Sequence, residues 1–224
     1  MTQSLAIVAG AGGALGPAIA HALDQAGYLP VGISRTDPGD SFRDFVPADL
    51  SNPENTESAL TSIVQRHGTP AVLIYNAHRF LIEAFEDTSH DDFESVWRTD
   101  ALGAFVSAKA IIPTMLEHGG TILFSGATAS TRGSARFSAF ASAKFALRGL
   151  AQSLAREYGP RGIHVAHIVI DGLIEGGHAQ KLFNVPAEDC IPAGAIAHEY
   201  LNLIRQPKGA WTHEIDIRPS GGKF

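Results

Sequence analysis

The chain has 224 residues, 45% of them apolar, a length that suits one α/β domain with a large core and excludes a disulfide-stapled mini-protein. Its 17 Lys and Arg against 23 Asp and Glu leave a formal charge of −6, whose field repels phosphate backbones and argues against nucleic acid as a partner. One cysteine, Cys190, makes no internal disulfide and no cysteine zinc site, which fits a reducing cytoplasm.

Met1 to Ala9 carries no basic stretch before its short apolar run, and nowhere do about 18 apolar residues follow one another, so neither an export signal nor a membrane span is expected. Leu5 to Ala9 is the first of several short apolar runs; Leu29 to Ser34, Phe45 with Val46, Ala71 to Asn76, Thr121 to Ser125, Val165 to Ile170 and Ile215 to Ile217 follow. Apolar residues on successive positions predict strands covered on both faces, the habit of parallel sheets. Helical segments lie between them. Pro17 to Ala26 follows the first strand, and Ser51 with Pro53 and Glu54 predicts a capping box that opens a helix to about His67, stopped by Gly68 and Pro70. Ser89 to Leu116 reads as one long helix, and Ser138 to Tyr158 ends at Gly159 and Pro160. This alternation predicts right-handed βαβ units. The expected fold is a single Rossmann-type α/β domain, a doubly wound parallel sheet with helices on both faces and ligands at the strand carboxyl ends.

The first strand runs straight into Gly10-Ala11-Gly12-Gly13-Ala14-Leu15-Gly16 and then into a helix. Glycines allow a tight turn and close backbone approach, while the first N–H groups and the dipole of the helix stabilise a pyrophosphate, so this segment predicts a dinucleotide cradle. After the second strand stand Ser34 and Arg35 in place of an acid. An Arg there pairs with a 2′-phosphate, which favours NADP(H) over NAD(H); Asp37 is the alternative, as a ribose acceptor.

Ala9 to Gly16 follows the pattern Thr-Gly-x-x-x-Gly-x-Gly, departing at Ala9 and Ala14 and keeping Gly10 and Gly16. Asp49-Leu50, Tyr75-Asn76-Ala77-His78, and Phe140-Ala141-Ser142-Ala143-Lys144 continuing to Arg161-Gly162-Ile163-His164-Val165 complete the set. In these segments the chain resembles the short-chain dehydrogenase/reductase family over nearly its whole length. With the glycine loop and Arg35, the resemblance implies cofactor contacts from Gly10, Gly12, Gly13, Leu15, Gly16, Ser34, Arg35, Asp49, Leu50, Asn76, Ala77 and Lys144, with Asp49 and Leu50 at the adenine.

The resemblance also implies a depleted catalytic set. The family's proton-transferring tyrosine falls on Phe140, the serine that orients the substrate carbonyl on Ala127, and the asparagine of the long helix on Asp100. Lys144 is kept, with only its bond to the nicotinamide ribose left to make. A positioned general acid contributes about 10²–10⁴-fold, but hydride donation belongs to the cofactor, so a substitute donor would restore turnover. Tyr75, His78, Ser125, Thr128, Ser138 and Ser142 are the candidates. Ser142, two residues from Phe140 on a helix, points away. His78 stands out because imidazole exchanges protons near neutral pH, the plainer reading being a histidine that merely replaces a loop glycine. Asp100 either pairs with Lys144, holds a water or is a packed structural carboxylate. The implied activity is that of an NADP(H)-dependent oxidoreductase on a small apolar carbonyl or related unsaturated compound; the alternative is a catalytically silent cofactor-binding sensor or partner subunit.

Asp171-Gly172 stands where the family leaves its sixth strand by Pro-Gly. Residues 171–192, with Leu173, Ile174, Leu182 and Phe183, are expected to form a lid over an apolar pocket lined by Phe137 and Phe140. The family pairs its two long helices between subunits, here about Asp91 to Leu116 and Ser138 to Tyr158, which implies a homodimer or homotetramer. Ala104, Phe105, Ala108 and Ile112 form a stripe that suits this pairing and suits burial against the chain's own sheet equally well. His164 and His167, three apart in a strand, point to opposite faces and cannot share a metal, and no metal is expected. Ser125 lacks the glycines, one spacer away on each side, of a hydrolase elbow, and Cys190, without a cationic neighbour, reads as an inert thiol.

Overall fold

The computed structural model describes residues 3–221. Its strands are β1 (Ser4–Ala9), β2 (Tyr28–Ser34), β3 (Asp44–Pro47), β4 (Val72–Tyr75), β5 (Gly120–Ser125), β6 (Ile163–Ile170) and β7 (Glu214–Ile217). They form one seven-stranded sheet in the order β3-β2-β1-β4-β5-β6-β7, every neighbouring pair parallel. The helices are α1 (Leu15–Gln25), α2 (Pro53–His67), α3 (His90–Trp97), α4 (Gly103–Met115), α5 (Ser138–Tyr158), α6 (His178–Phe183) and α7 (Ala193–Ile204).

The central apolar runs became strands because both faces of the sheet are covered there. On β1, Leu5, Ile7 and Ala9 enter the core beneath α2, α4 and α5, while Ala6 and Val8 enter the core beneath α1 and α7. This is a single Rossmann-type domain. The strand order reverses between β1 and β4, so the carboxyl ends of these two strands open the crevice in which such folds take ligands. Among the described residues no helix is long and apolar enough to cross a membrane.

The helices differ from expectation at several points. Asn52, not Ser51, caps α2, accepting from the Asn55 N–H at 3.0 Å, while the Ser51 hydroxyl turns to Asp49. The long helix expected from Ser89 is interrupted by a π-helical turn, Arg98–Leu102. That turn leaves the Thr99 carbonyl free to accept the Tyr75 hydroxyl at 2.5 Å. Gly103 makes the approach possible, since a Cβ there would stand 2.3 Å from the Tyr75 hydroxyl. The stripe of α4 divides: Ala104, Ala108 and Ile112 are buried against the chain's own sheet, and Phe105 alone of the four faces outward. His164 stacks on Trp211 at 5.0 Å, whereas His167 projects from the other face of β6 toward Glu214.

Candidate active site

β1 delivers the chain to Gly10 at φ +97, where a Cβ would lie 2.3 Å from the Ala77 nitrogen; only glycine fits this left-handed, crowded position. The loop is strapped from two sides. The Gly10 and Ala11 N–H groups donate to Ile33 O at 2.8 and 3.1 Å, and Asn76 and Ala77 N–H donate to Ala9 O at 2.7 and 3.0 Å. The Asn76 side-chain amide completes the strap by donating to Gly10 O at 2.9 Å. Gly12 and Gly13 then stand exposed, with nothing within 4 Å of the Cβ that either lacks, and no side chain caps α1. Backbone N–H groups at an uncapped helix start, beside an open glycine surface, fit the pyrophosphate of a dinucleotide. Leu15 is buried in the core, so only its backbone can serve this cradle. Gly16 packs α1 tightly, a Cβ there falling 2.1 Å from Ala11 O.

Beyond β2, the Ser34 hydroxyl donates to Thr36 O at 2.7 Å. The Asp37 carboxylate accepts from the Gly39 N–H at 2.8 Å, closing its own turn. Arg35 is exposed and its charge acts on Asp49. Burial pushes the Asp49 pKa up, but the Ser51 N–H and hydroxyl, with Arg35, outweigh it and leave the carboxyl below its ordinary value. Leu50 is a core residue.

At the other end of the cleft, Lys144 is buried on α5. Its Nζ donates to Ser125 O at 3.1 Å, lies 3.2 Å from Asp100 Oδ2, and stands 5.5 Å from the centre of the Phe140 ring. Asp100 lies within the π turn and accepts the Arg79 N–H on Oδ1 at 2.7 Å. Asp100 thus makes the pairing with Lys144 that its sequence position allows. His78 opens on the cleft, its Nδ1 3.4 Å from Asn76 O. Desolvation by the surrounding protein and the Lys144 ammonium draw its pKa down, against Asp100 and the Asn76 carbonyl.

Four of the other substitute donors, Tyr75, Ser125, Thr128 and Ser142, point elsewhere. Tyr75 is fully buried in the core with its hydroxyl on Thr99, and desolvation followed by Asp100 and Asp49 pushes its pKa well up. The Ser125 hydroxyl faces Tyr200 of α7 at 2.7 Å, on the opposite side of the sheet. Thr128 donates to Asp171, and Ser142 donates to Ala139 O at 2.9 Å on the exposed side of α5.

A family model for short chain dehydrogenases matches residues 4–184. The chain belongs to the short-chain dehydrogenase family. A short-chain dehydrogenase/reductase of Armillaria gallica is 30% identical over 176 residues, covering 72% of this chain and 67% of that protein. A solved short-chain dehydrogenase from Rhodopseudomonas palustris is 33% identical, with a TM-score of 0.82 over 96% of this chain and 98% of that one. The alcohol dehydrogenase of the archaeon Thermococcus sibiricus, complexed with 5-hydroxy-NADP, shares the fold at 20% identity, with a TM-score of 0.87 over 99% of this chain and 98% of that one.

This short-chain dehydrogenase carries features the sequence did not disclose. Phe80, on the segment after β4, packs edge-on against Phe140 at 5.2 Å, and Phe183 of α6 packs on Phe80 at 6.5 Å. The segment carrying Phe183 is closed at its base, where Ile191 donates to Leu173 O at 2.8 Å and Glu175 to Ile191 O at 3.0 Å. Cys190 is buried there, with its thiol pKa raised by burial and then by Asp189, Glu175 and Glu188.

Proposed function

We propose that the protein is an NADP(H)-dependent oxidoreductase acting on a small apolar carbonyl or related unsaturated compound. The open glycine cradle carries this reading: Gly12 and Gly13 leave space where a side chain would stand, at the start of an uncapped helix. Gly12, Gly13 and the backbone of Leu15 and Gly16 would hold the pyrophosphate, with Gly10, Asn76 and Ala77 shaping the loop. Ser34 and Arg35 would take the 2′-phosphate, Asp49 and Leu50 the adenine, and Lys144 the nicotinamide ribose. The 5-hydroxy-NADP of the archaeal alcohol dehydrogenase supports the cofactor choice, as does the Asp37 carboxylate's engagement with Gly39. When bound, NADPH supplies the hydride.

The chain's own part is to orient the acceptor and exclude water. Phe80, Phe137 and Phe140 line the acceptor site, and residues 171–192 act as its lid, with Phe183 as the contact. With Phe140 and Ala127 in the tyrosine and serine positions, a neutral carbonyl would take its proton from His78 or from water. Phe93, Trp97, Phe105 and Phe145, each more than 40% exposed on α3, α4 and α5, support a homodimer or homotetramer through these helices. The single cysteine supports a cytoplasmic location. A second reading, a cofactor-binding protein without turnover, draws support from Lys144, whose ammonium is already held by Asp100 and Ser125.

Calorimetric titration with NADPH and NADH tests the cofactor claim. Tighter binding of NADPH, with the preference lost in Arg35→Ala, is expected; binding of neither would end the oxidoreductase reading.

A further inference from the structure

Four phenylalanines meet at the acceptor end of the cleft. Besides its contacts with Phe140 and Phe183, Phe80 lies 6.0 Å from Phe137, which lies 6.5 Å from Phe140. They come from three separate segments, and two are set by left-handed non-glycine residues beside them, Arg136 at φ +70 before Phe137 and Asn184 at φ +51 after Phe183. Such conformations persist only where the surroundings hold them. The Arg136 carbonyl accepts from the Glu83 N–H at 2.9 Å, tying the Phe137 segment to the Phe80 segment. Phe183 is 47% exposed, so the cluster opens to solvent at the α6 side.

The buried charges at this end are paired. Asp100 neutralises Lys144 in a buried pair, and desolvation with the Lys144 charge holds His78 below the ordinary imidazole range. Neither Phe140 nor Ala127 carries an O–H. The floor of the site therefore offers aromatic surface, no uncompensated positive charge, and no acid in the family's place.

We propose that the acceptor is itself a cation, a small iminium compound whose positively charged C=N group lodges among Phe80, Phe137, Phe140 and Phe183. Aromatic faces attract cations through their quadrupole, more strongly when water is excluded. Phe140 already does so, with the Lys144 ammonium 5.5 Å from its centroid. The reaction balances without a general acid. The acceptor carbon gains one C–H bond from the two-electron hydride of reduced nicotinamide, its C=N π pair withdraws onto nitrogen, the iminium is reduced to an amine, the nicotinamide is oxidised, and no proton moves. A neutral ketone at the same place would end as an alkoxide and need the acid that Phe140 cannot supply. This inference rests on the NADP(H) reading above and deepens it: Phe140, Ala127 and Asp100, the three departures, together suit one class of substrate.

The test uses the intact protein saturated with NADPH, whose nicotinamide is uncharged, and two probes of one shape that it cannot reduce, phenyltrimethylammonium and its neutral isostere tert-butylbenzene, compared by calorimetry. The cation is expected to bind at least about tenfold more tightly, and Phe80→Leu and Phe183→Leu to reduce that preference by about fivefold or more. Phe183, being half exposed, can be replaced without threatening the fold. Oxidation of NADPH by N-methyl dihydroisoquinolinium, above the uncatalysed background and exceeding that by acetophenone, is the matching activity. Equal affinity for the two probes, or turnover of the ketone in preference to the iminium, overturns the cationic acceptor and leaves the NADP(H) reading standing. Failure of NADPH itself to bind overturns both.

Discussion

Asp100 closes on Lys144: the carboxylate Oδ2 lies 3.2 Å from the ammonium, and neither side chain is more than 3% exposed. The pair joins three elements, because Asp100 belongs to the π turn, Lys144 to α5, and the Lys144 ammonium reaches Ser125 O at the end of β5. Buried opposite charges of this kind depend on one another. Neither has water to fall back on, so removing one leaves the other uncompensated.

Asp100→Asn preserves shape and the contact with the Arg79 N–H but strips Lys144 of its counter-charge. Loss of one partner of a buried pair costs about 3–5 kcal/mol, and urea unfolding should show a loss of that order. Adding Lys144→Met removes the stranded charge and should recover much of it. Equal destabilisation of the single and double variants would show that the pair does not hold this region together.

Phe140→Tyr places a hydroxyl on a ring already 5.5 Å from Lys144 Nζ. A neighbouring ammonium favours the phenolate, and a positioned acid is worth about 10²–10⁴-fold. Together with Ala127→Ser, the change should raise NADPH-dependent reduction of a neutral ketone by at least about 100-fold, the lower end of that range. The extra atom enters a site where Phe80 stands 5.2 Å away, so an overpacking cost of about 1–3 kcal/mol is expected in the same variant. No gain in ketone turnover from a folded double variant would remove Phe140 from the reacting centre.

Much of the fold was legible because buried parallel strands announce themselves as unbroken apolar runs and the glycine cradle lies at the junction of strand and helix. The residues misread at the site had long-range partners. Ser125 meets Tyr200 across the sheet, and the π turn is tied to the Tyr75 hydroxyl meeting Thr99. Tyr75 itself could have been placed from period two: it shares a face with Leu73, which packs in the same core. The helix α7 carries Ile196, Ala197, Tyr200 and Leu201 at helical spacing, a signal present in the sequence. Phe80 offered no local signal, being one aromatic residue in an irregular segment until Phe140 and Phe183 are seen against it.

His167 gives the fold a pH dependence of known sign. It is fully buried on β6, with Nδ1 2.9 Å from Glu214 Oε2, and burial draws its pKa from 6.5 down to about 4 despite Glu214. Between those values the unfolded chain binds a proton that the native protein does not, so stability rises with pH across the interval and is lost as pH falls through it. The span corresponds to about 3 kcal/mol. Urea unfolding measured near pH 4 and near pH 7 should show this slope in the wild type and a flatter one in His167→Gln. A slope unchanged by the substitution would assign it to other groups.

Gly10 and Gly12 separate the needs of the fold from those of the ligand. At Gly10 an added methyl would stand 2.3 Å from the Ala77 nitrogen at φ +97, so Gly10→Ala combines a clash with backbone strain and should cost about 2 kcal/mol or more. At Gly12 nothing lies within 4 Å and the backbone is not left-handed, so Gly12→Ala should change stability by no more than about 0.5 kcal/mol. Its methyl would enter the open side of the cradle, where the pyrophosphate is to lie. NADPH affinity should therefore fall by at least about tenfold, equivalent to about 1.4 kcal/mol. Thermal melts with and without NADPH read both quantities on one sample. A Gly12→Ala protein that melts like the wild type and is stabilised by NADPH to the same degree would place the dinucleotide somewhere other than this loop.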